Sequence, residues 1–182
     1  MNLCIGFLEL NSIAKGIEAA DRILKTAETR LLFAKAGCPG KYYILFSGEV
    51  ASVTSSLEAG KETGGAHVVD SVVIPSVHPM VISAINQAVE PVPVNALGVM
   101  EFFSVTASVL AADAAVKAAE VDLMDVRLGT GIGGKSFVIL SGDVAAVHEA
   151  VEAGIRTASE NGLLVSQVVI PIPKAEIFNS LL

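Results

Sequence analysis

Residues 4–12 read Cys-Ile-Gly-Phe-Leu-Glu-Leu-Asn-Ser, and residues 96–104 read Ala-Leu-Gly-Val-Met-Glu-Phe-Phe-Ser. At an offset of 92, Gly6 meets Gly98, Glu9 meets Glu101 and Ser12 meets Ser104. Each stretch is a short apolar run, of the length of a buried strand, that stops at a serine able to cap a helix. The match continues outward. Ala19-Ala20-Asp21 meets Ala111-Ala112-Asp113, Lys25 meets Lys117, Leu31 meets Leu123 and Gly37 meets Gly129. Beyond a loop two residues longer in the second copy, Lys41 meets Lys135, Ser47-Gly48 meets Ser141-Gly142, and Glu58-Ala59-Gly60 meets Glu152-Ala153-Gly154. After two more inserted residues, Val72-Val73-Ile74-Pro75 meets Val168-Val169-Ile170-Pro171. Such collinearity is an internal tandem duplication.

Within the first copy, residues 4–10 predict a strand. A helix follows, with Ile13, Ile17, Ala20, Leu24 and Ala27 on one face. Strands follow at 31–36 and 42–46, the second broken by Ser47-Gly48. A helix over 50–61 buries Val53, Leu57 and Gly60, and a strand over 66–74 closes at Pro75. The order β-α-β-β-α-β is the ferredoxin-like pattern of an α+β fold, an antiparallel sheet with helices. A short helix over 78–90 precedes Pro91-Val92-Pro93. The expected organisation is a first domain over 1–90, a Pro-rich linker over 91–95 and a second domain over 96–182.

The 182 residues are 52% hydrophobic and 17% charged, with mean hydropathy +0.63. No unbroken apolar run nears the roughly 18 to 20 residues that span a bilayer, so buried subunit contacts are the expected use of this greasiness. Net charge is −7, without a Lys/Arg cluster, which argues against a nucleic-acid surface. No basic segment precedes the first apolar run, so a secretory signal is not expected. Two cysteines make no disulfide framework, in keeping with a reducing compartment.

Gly129 to Ser136 matches the phosphate-loop spacing and contains Gly-x-Gly-x-x-Gly. Both motifs need a helix directly after the loop, and Phe137 to Leu140 instead predict a strand, so the loop is read as a strand connection. Cys4 lies in a strand and is expected buried and inert. Cys38 lies between Gly37 and Pro39 on a loop, where it is either incidental or a ligand. One thiolate cannot hold an iron–sulfur cluster, which needs three or four ligands, so a metal role requires copies of Cys38 meeting at a symmetry axis. His67, His78 and His148 have no metal-ligand spacing. Glu9 and Glu101 recur without a nucleophile or histidine beside them and are read as partnered structural carboxylates. Lys25 and Lys117 complement helix C-terminal dipoles.

Each half resembles the bacterial microcompartment (BMC) shell domain. The resemblance rests on the Gly-x-x-Glu strand (Gly6–Glu9, Gly98–Glu101) and the Ala-Ala-Asp…Lys helix (Ala19–Lys25, Ala111–Lys117). It rests equally on the Lys/Arg-x-Gly loop (Lys35–Gly37, Arg127–Gly129), the Ser-Gly-Glu/Asp-Val turn (Ser47–Val50, Ser141–Val144) and the Val-Ile-Pro end (Val73–Pro75, Val169–Pro171). The duplication is similar to the tandem-domain class, BMC-T, in unpermuted order. The resemblance implies a non-enzymatic shell protein whose homotrimer is a flat pseudohexameric tile, located in a microcompartment shell in the cytoplasm. Its implied partners are other shell proteins and enclosed redox enzymes, with neither nucleic acid nor membrane. It places Gly37, Pro39, Gly40, Gly129, Thr130, Gly131, Ile132, Gly133 and Gly134 in loops at the central axis, and Lys25 and Lys117 at tile edges. Within the class, the chain resembles the T-type shell proteins of propanediol-utilisation compartments. For Cys38 this implies metal binding, one thiolate from each of three chains on a single [4Fe–4S] cluster per trimer, for electron transfer across the shell. The alternatives are a tile with a metabolite pore and no cluster, and a small-ligand enzyme or sensor. The family's Pro-Arg-Pro-His end is replaced by Pro75-Ser-Val-His78 and Pro171-Ile-Pro-Lys174, so the usual edge arginine is missing.

Overall fold

The computed structural model describes residues 3–87, 95–129 and 131–179. The elements of the first repeat are β1 (Leu3–Leu10), α1 (Ile13–Thr26), β2 (Thr29–Gly37), β3 (Lys41–Gly48), α2 (Val50–Gly64) and β4 (Val68–Val77). A single 3-10 turn at Gly65–His67 leads into β4, so His67 lies before the strand. A short helix α3 (Pro79–Ile85) follows. The second repeat comprises β5 (Ala96–Phe102), α4 (Val105–Ala118), β6 (Asp122–Leu128), β7 (Ser136–Gly142), α5 (Val144–Glu160), β8 (Leu164–Pro171) and α6 (Ala175–Asn179). Residues 88–90 of the expected short helix, 91–94 of the linker and Thr130 lie outside the described residues.

The sheets have the orders β2-β3-β1-β4 and β6-β7-β5-β8, antiparallel throughout. This is the expected pattern, made twice. Two local expectations fail. Ser47-Gly48 does not break β3, because both residues stay paired, with Arg30 and Thr29 on one side and with Ile5 and Cys4 on the other. Pro75 does not end β4, which runs on to Val77 at the sheet edge, where a missing N–H costs no ladder bond.

The chain forms two compact units. The first comprises Met1–His78, Ser104–Thr106 and Gly129–Gly134; the second comprises Pro79–Phe103, Ala107–Leu128 and Lys135–Leu182. In the first, α1 and α2 lie together on one sheet face, over a core of Cys4, Leu8, Leu10, Ala19, Ala20, Ile23, Ile44, Phe46, Val53 and Leu57. Val53, Leu57 and Gly60 are buried as expected. Gly60 is required by close approach, because a Cβ there would stand 2.7 Å from Ile23 Cδ1. Its repeat Gly154 has the same role, with a Cβ falling 2.7 Å from Met100 Sδ and 3.0 Å from the Ala111 carbonyl. The recurring Glu-Ala-Gly is thus a helix-packing signature.

The apolar stripe expected on α1 is corrected. Gly16, Ala19, Ala20 and Ile23 face the core, while Ile13, Ile17 and Leu24 are exposed. The helix sits so close to the sheet that a Cβ on Gly16 would meet Tyr42 Cβ at 2.5 Å. No side chain fits at Gly16; Ala19 and Ala20 keep the seam narrow, and Ile23 is the one large residue of α1 in the core while Ile13, Ile17 and Leu24 turn outward.

In the second unit, α5 packs on β5, β7 and β8, and α3 packs on β6. Leu97, Met124 and Ile139 form a cluster flanked by Val99, Phe137 and Ile170.

Candidate functional site

Cys38 stands at the tip of the hairpin joining β2 and β3. The turn is closed by Gly40 N–H donating to the Gly37 carbonyl at 3.0 Å, with Gly40 at φ +81° and a cis Cys38–Pro39 peptide. The side chain is partly exposed and the thiol is free. Its backbone is held on both sides within the first unit. Cys38 N–H donates to the Gly129 carbonyl (3.2 Å), and the Tyr43 hydroxyl donates to the Cys38 carbonyl (3.2 Å). The glycine loop lies directly against it, since a Cβ on Gly134 would fall 2.5 Å from Pro39 Cδ and 2.8 Å from the Cys38 carbonyl oxygen. Gly129, Gly131, Gly133 and Gly134 all have positive φ, and β7 follows the loop as a strand. The helix that phosphate binding requires is not there.

Beneath the loop, Tyr43 is fully buried, stacked on Phe7 at 6.3 Å. Burial, then the Glu9 carboxylate and Cys38, push its phenol well above the usual range, because each disfavours the phenolate. The folded chain therefore keeps a proton that the unfolded chain sheds above its ordinary value of 10.0, and stability falls as pH rises past that point. Replacing Tyr43 with Phe removes one hydrogen bond and should cost about 1 kcal/mol at neutral pH. In urea unfolding, the gap between wild type and variant should narrow above pH 10, where only wild type pays for protonating a phenolate.

Glu9 is the other anchor. It is fully buried on β1 and accepts from Lys41 Nζ (2.5 Å), the amides of Val105 (3.0 Å) and Thr106 (3.2 Å), and the hydroxyls of Ser104 and Thr106 (both 3.3 Å). The one Ser104 hydroxyl proton is shared between Glu9 and the nearer Asp70 carboxylate, which lies at 2.8 Å. Glu9 thus caps the N-terminus of α4, where unpaired amides and the helix dipole favour a carboxylate. Glu101 pairs with Lys135 at 2.9 Å and is one-third exposed. Both are partnered structural carboxylates, as expected. Sequence reasoning missed that Lys41 and Lys135 are their partners, and that Tyr43 braces Cys38. The signal for the first was present: the lysines and the glutamates recur together in both copies.

Cys4 is buried, and burial followed by Glu49 raises its thiol pKa, as fits an inert packing residue. Lys25 and Lys117 each form an i,i+4 ion pair, with Asp21 (2.6 Å) and Asp113 (2.5 Å), which explains the recurring Asp…Lys spacing. Among the described residues no group of three or more His, Cys, Asp or Glu is placed to hold a metal, and Cys38 is a free, partly exposed thiol. Among the described residues no helix is long and apolar enough to cross a membrane.

The BMC-domain model matches twice, over residues 4–77 and 96–173. The chain is 43% identical to the bacterial microcompartment shell protein PduT of Citrobacter freundii, over 95% of this chain and 94% of that one. The shell protein EutM of Salmonella typhimurium is 42% identical over 46% of this chain and 84% of its own, about one repeat. Among solved structures, a microcompartment protein from Desulfitobacterium hafniense superposes with TM-score 0.89 at 50% identity, covering 98% of this chain and 99% of that one. With the family model matching nearly the whole chain in two copies, the protein belongs to the BMC-domain family, as a microcompartment shell protein with two BMC domains in tandem.

Proposed function

We propose that this chain is a structural tile, not an enzyme, and that three copies close a pseudohexameric ring in a cytoplasmic microcompartment shell, with the Cys38 loops gathered at its axis. Lys25 and Lys117 would then lie towards neighbouring tiles of other shell proteins. Cys38 from each of three copies would hold one [4Fe–4S] cluster, which would supply one-electron chemistry between enclosed redox enzymes and carriers outside. The observation that carries this reading is the placement of Cys38. It is a partly exposed thiol on a hairpin tip whose backbone is fixed from two directions, by Tyr43 and by Gly129. A ligand shared among three chains needs such a held, outward thiol.

The test is iron and acid-labile sulfide per chain in anaerobically prepared protein. Three-thiolate ligation at one axis predicts about 1.3 iron per chain. Cys38→Ala should lose the iron and keep the oligomer, since a partly exposed loop thiol contributes little packing. Retention of stoichiometric iron by that variant would falsify the assignment.

A second reading is a tile with a metabolite pore and no cluster. It is favoured by the open glycines of the second loop. A Cβ on Gly131 or Gly133 would meet nothing within 4 Å, so that loop leaves room around it. Wild-type protein that stays free of iron after reconstitution would select this reading.

A further inference from the structure

The first sheet has a second end, away from the Cys38 hairpin. There, where β2 begins and β3 finishes, a cavity of about 590 Å³ lies within the first unit. Its walls include Glu28, Thr29 and Arg30 at the start of β2, Ser47 near the end of β3, and Glu49 and Ser52 at the opening of α2. The volume is in the range of small-molecule sites.

The wall holds polar groups that the chain itself does not satisfy. Thr29 Oγ1 is buried without a hydrogen-bond partner. Ser47, 4% exposed, makes no side-chain hydrogen bond among the described residues. A buried polar group left unpaired costs stability, so each one calls for a reason. The duplication supplies an internal control. In the second repeat Thr29 is replaced by Val121, Ser52 by Ala146 and Arg30 by Asp122. Ser141, the equivalent of Ser47, donates to the Ala96 carbonyl at 3.0 Å, and Asp143, the equivalent of Glu49, accepts from Asn95 at 3.1 Å. The second copy has thus deleted or paired these groups, and the first has kept them free. Glu49 places no side-chain oxygen on the amides that open α2, which leaves the positive end of that helix uncapped. Arg30, Glu28 and Glu49 line one cavity, yet none forms an ion pair among the described residues.

We propose that this cavity binds a short zwitterionic peptide, of two or three residues, by both of its charged ends. Arg30 and the opening amides of α2 receive the carboxylate, Glu28 and Glu49 receive the ammonium, and the unsatisfied hydroxyls serve the peptide groups between. Opposite charges that share a cavity without meeting are bridged by a molecule that carries both. An anion alone would face two carboxylates, and a cation alone would face the guanidinium and the helix dipole, so each is disfavoured by the group that the zwitterion satisfies. Leu3, 39% exposed on the same wall, offers an apolar contact for a side chain. A single amino acid fills only a minor part of the volume. The site uses none of the Cys38 loop and stands apart from the cluster reading.

The probe is trialanine, titrated calorimetrically into the intact protein beside N-acetyltrialanine, which lacks the ammonium, and trialanine amide, which lacks the carboxylate. Trialanine should bind once per chain, and each half-charged form should bind about tenfold more weakly or worse. Arg30 is exposed, so Arg30→Gln should leave the fold intact. It should abolish the advantage of trialanine over its amide and keep the advantage over the acetylated form. Thr29→Val with Ser52→Ala gives the first repeat the lining of the second. It should weaken trialanine binding while the melting temperature holds or rises, because an unpaired buried hydroxyl is removed. Absence of trialanine binding, equal binding of the three forms, or undiminished binding in Arg30→Gln overturns the proposal.

Discussion

Glu9→Gln is expected to destabilise the chain by about 3 kcal/mol, measured by urea unfolding, although only one charge is removed. The carboxylate is wholly buried, and Lys41, whose side chain is 15% exposed, has its ammonium on it. The uncharged amide leaves that ammonium in a poorly solvated place without its counter-ion. The other half of the site suffers less, because the Gln oxygen still accepts from the opening amides of α4. This division makes a sharper prediction. Glu9→Gln combined with Lys41→Met should recover roughly half of the loss, since replacing both members of a buried ion pair removes the stranded charge. If the double variant is no more stable than Glu9→Gln alone, the cost resides in the helix cap and not in the ion pair. The partly exposed Lys135–Glu101 pair provides the contrast. Its loss should cost less than about 1 kcal/mol, the range of solvated pairs.

Gly129→Ala is the second large effect. Gly129 has φ +64°, where a side chain costs about 1 kcal/mol or more. An added Cβ would also stand 2.4 Å from Tyr43 Oη and 3.1 Å from Val105 Cγ2. Tyr43 has no room to yield because it is fully buried. Overpacking of that kind costs about 1 to 3 kcal/mol, giving an expected total of about 3 kcal/mol. Gly131→Ala separates the two causes. It has a similar φ of +77° and nothing within 4 Å, so it should cost only the backbone share of about 1 kcal/mol. Equal losses in the two variants would show that Tyr43 moves aside freely.

The duplication was legible without coordinates, and with it most of the fold. Strand-length apolar runs, a serine before each first helix and a glycine at each loop recur in collinear order, and the two sheets follow that order. Cys38 was legible as the one thiol on a loop. What supports it was not. Tyr43 lies only five residues away, but its ring packs on Phe7 while its hydroxyl returns to the loop, and spacing along a strand does not say which partner a buried hydroxyl finds. Glu9 and Lys41 recur in both repeats, yet they are 32 residues apart, and only the pairing of β1 with β3 brings them together.

The α1 stripe shows the limit most directly. Ile13, Ile17 and Leu24 have the spacing of a buried face, and in the single chain they are exposed while Gly16, Ala19 and Ala20 take the core. Periodicity reports that a face is apolar; it does not report what covers it. The sequence by itself determined that the chain is two copies of one β-α-β-β-α-β unit, because strand and helix periods are local properties of neighbouring residues. Only the tertiary structure decided which of two equivalent carboxylates is sealed and which equivalent faces stay open. Burial depends on which parts of the chain meet, and two identical motifs in one chain need not meet the same neighbours.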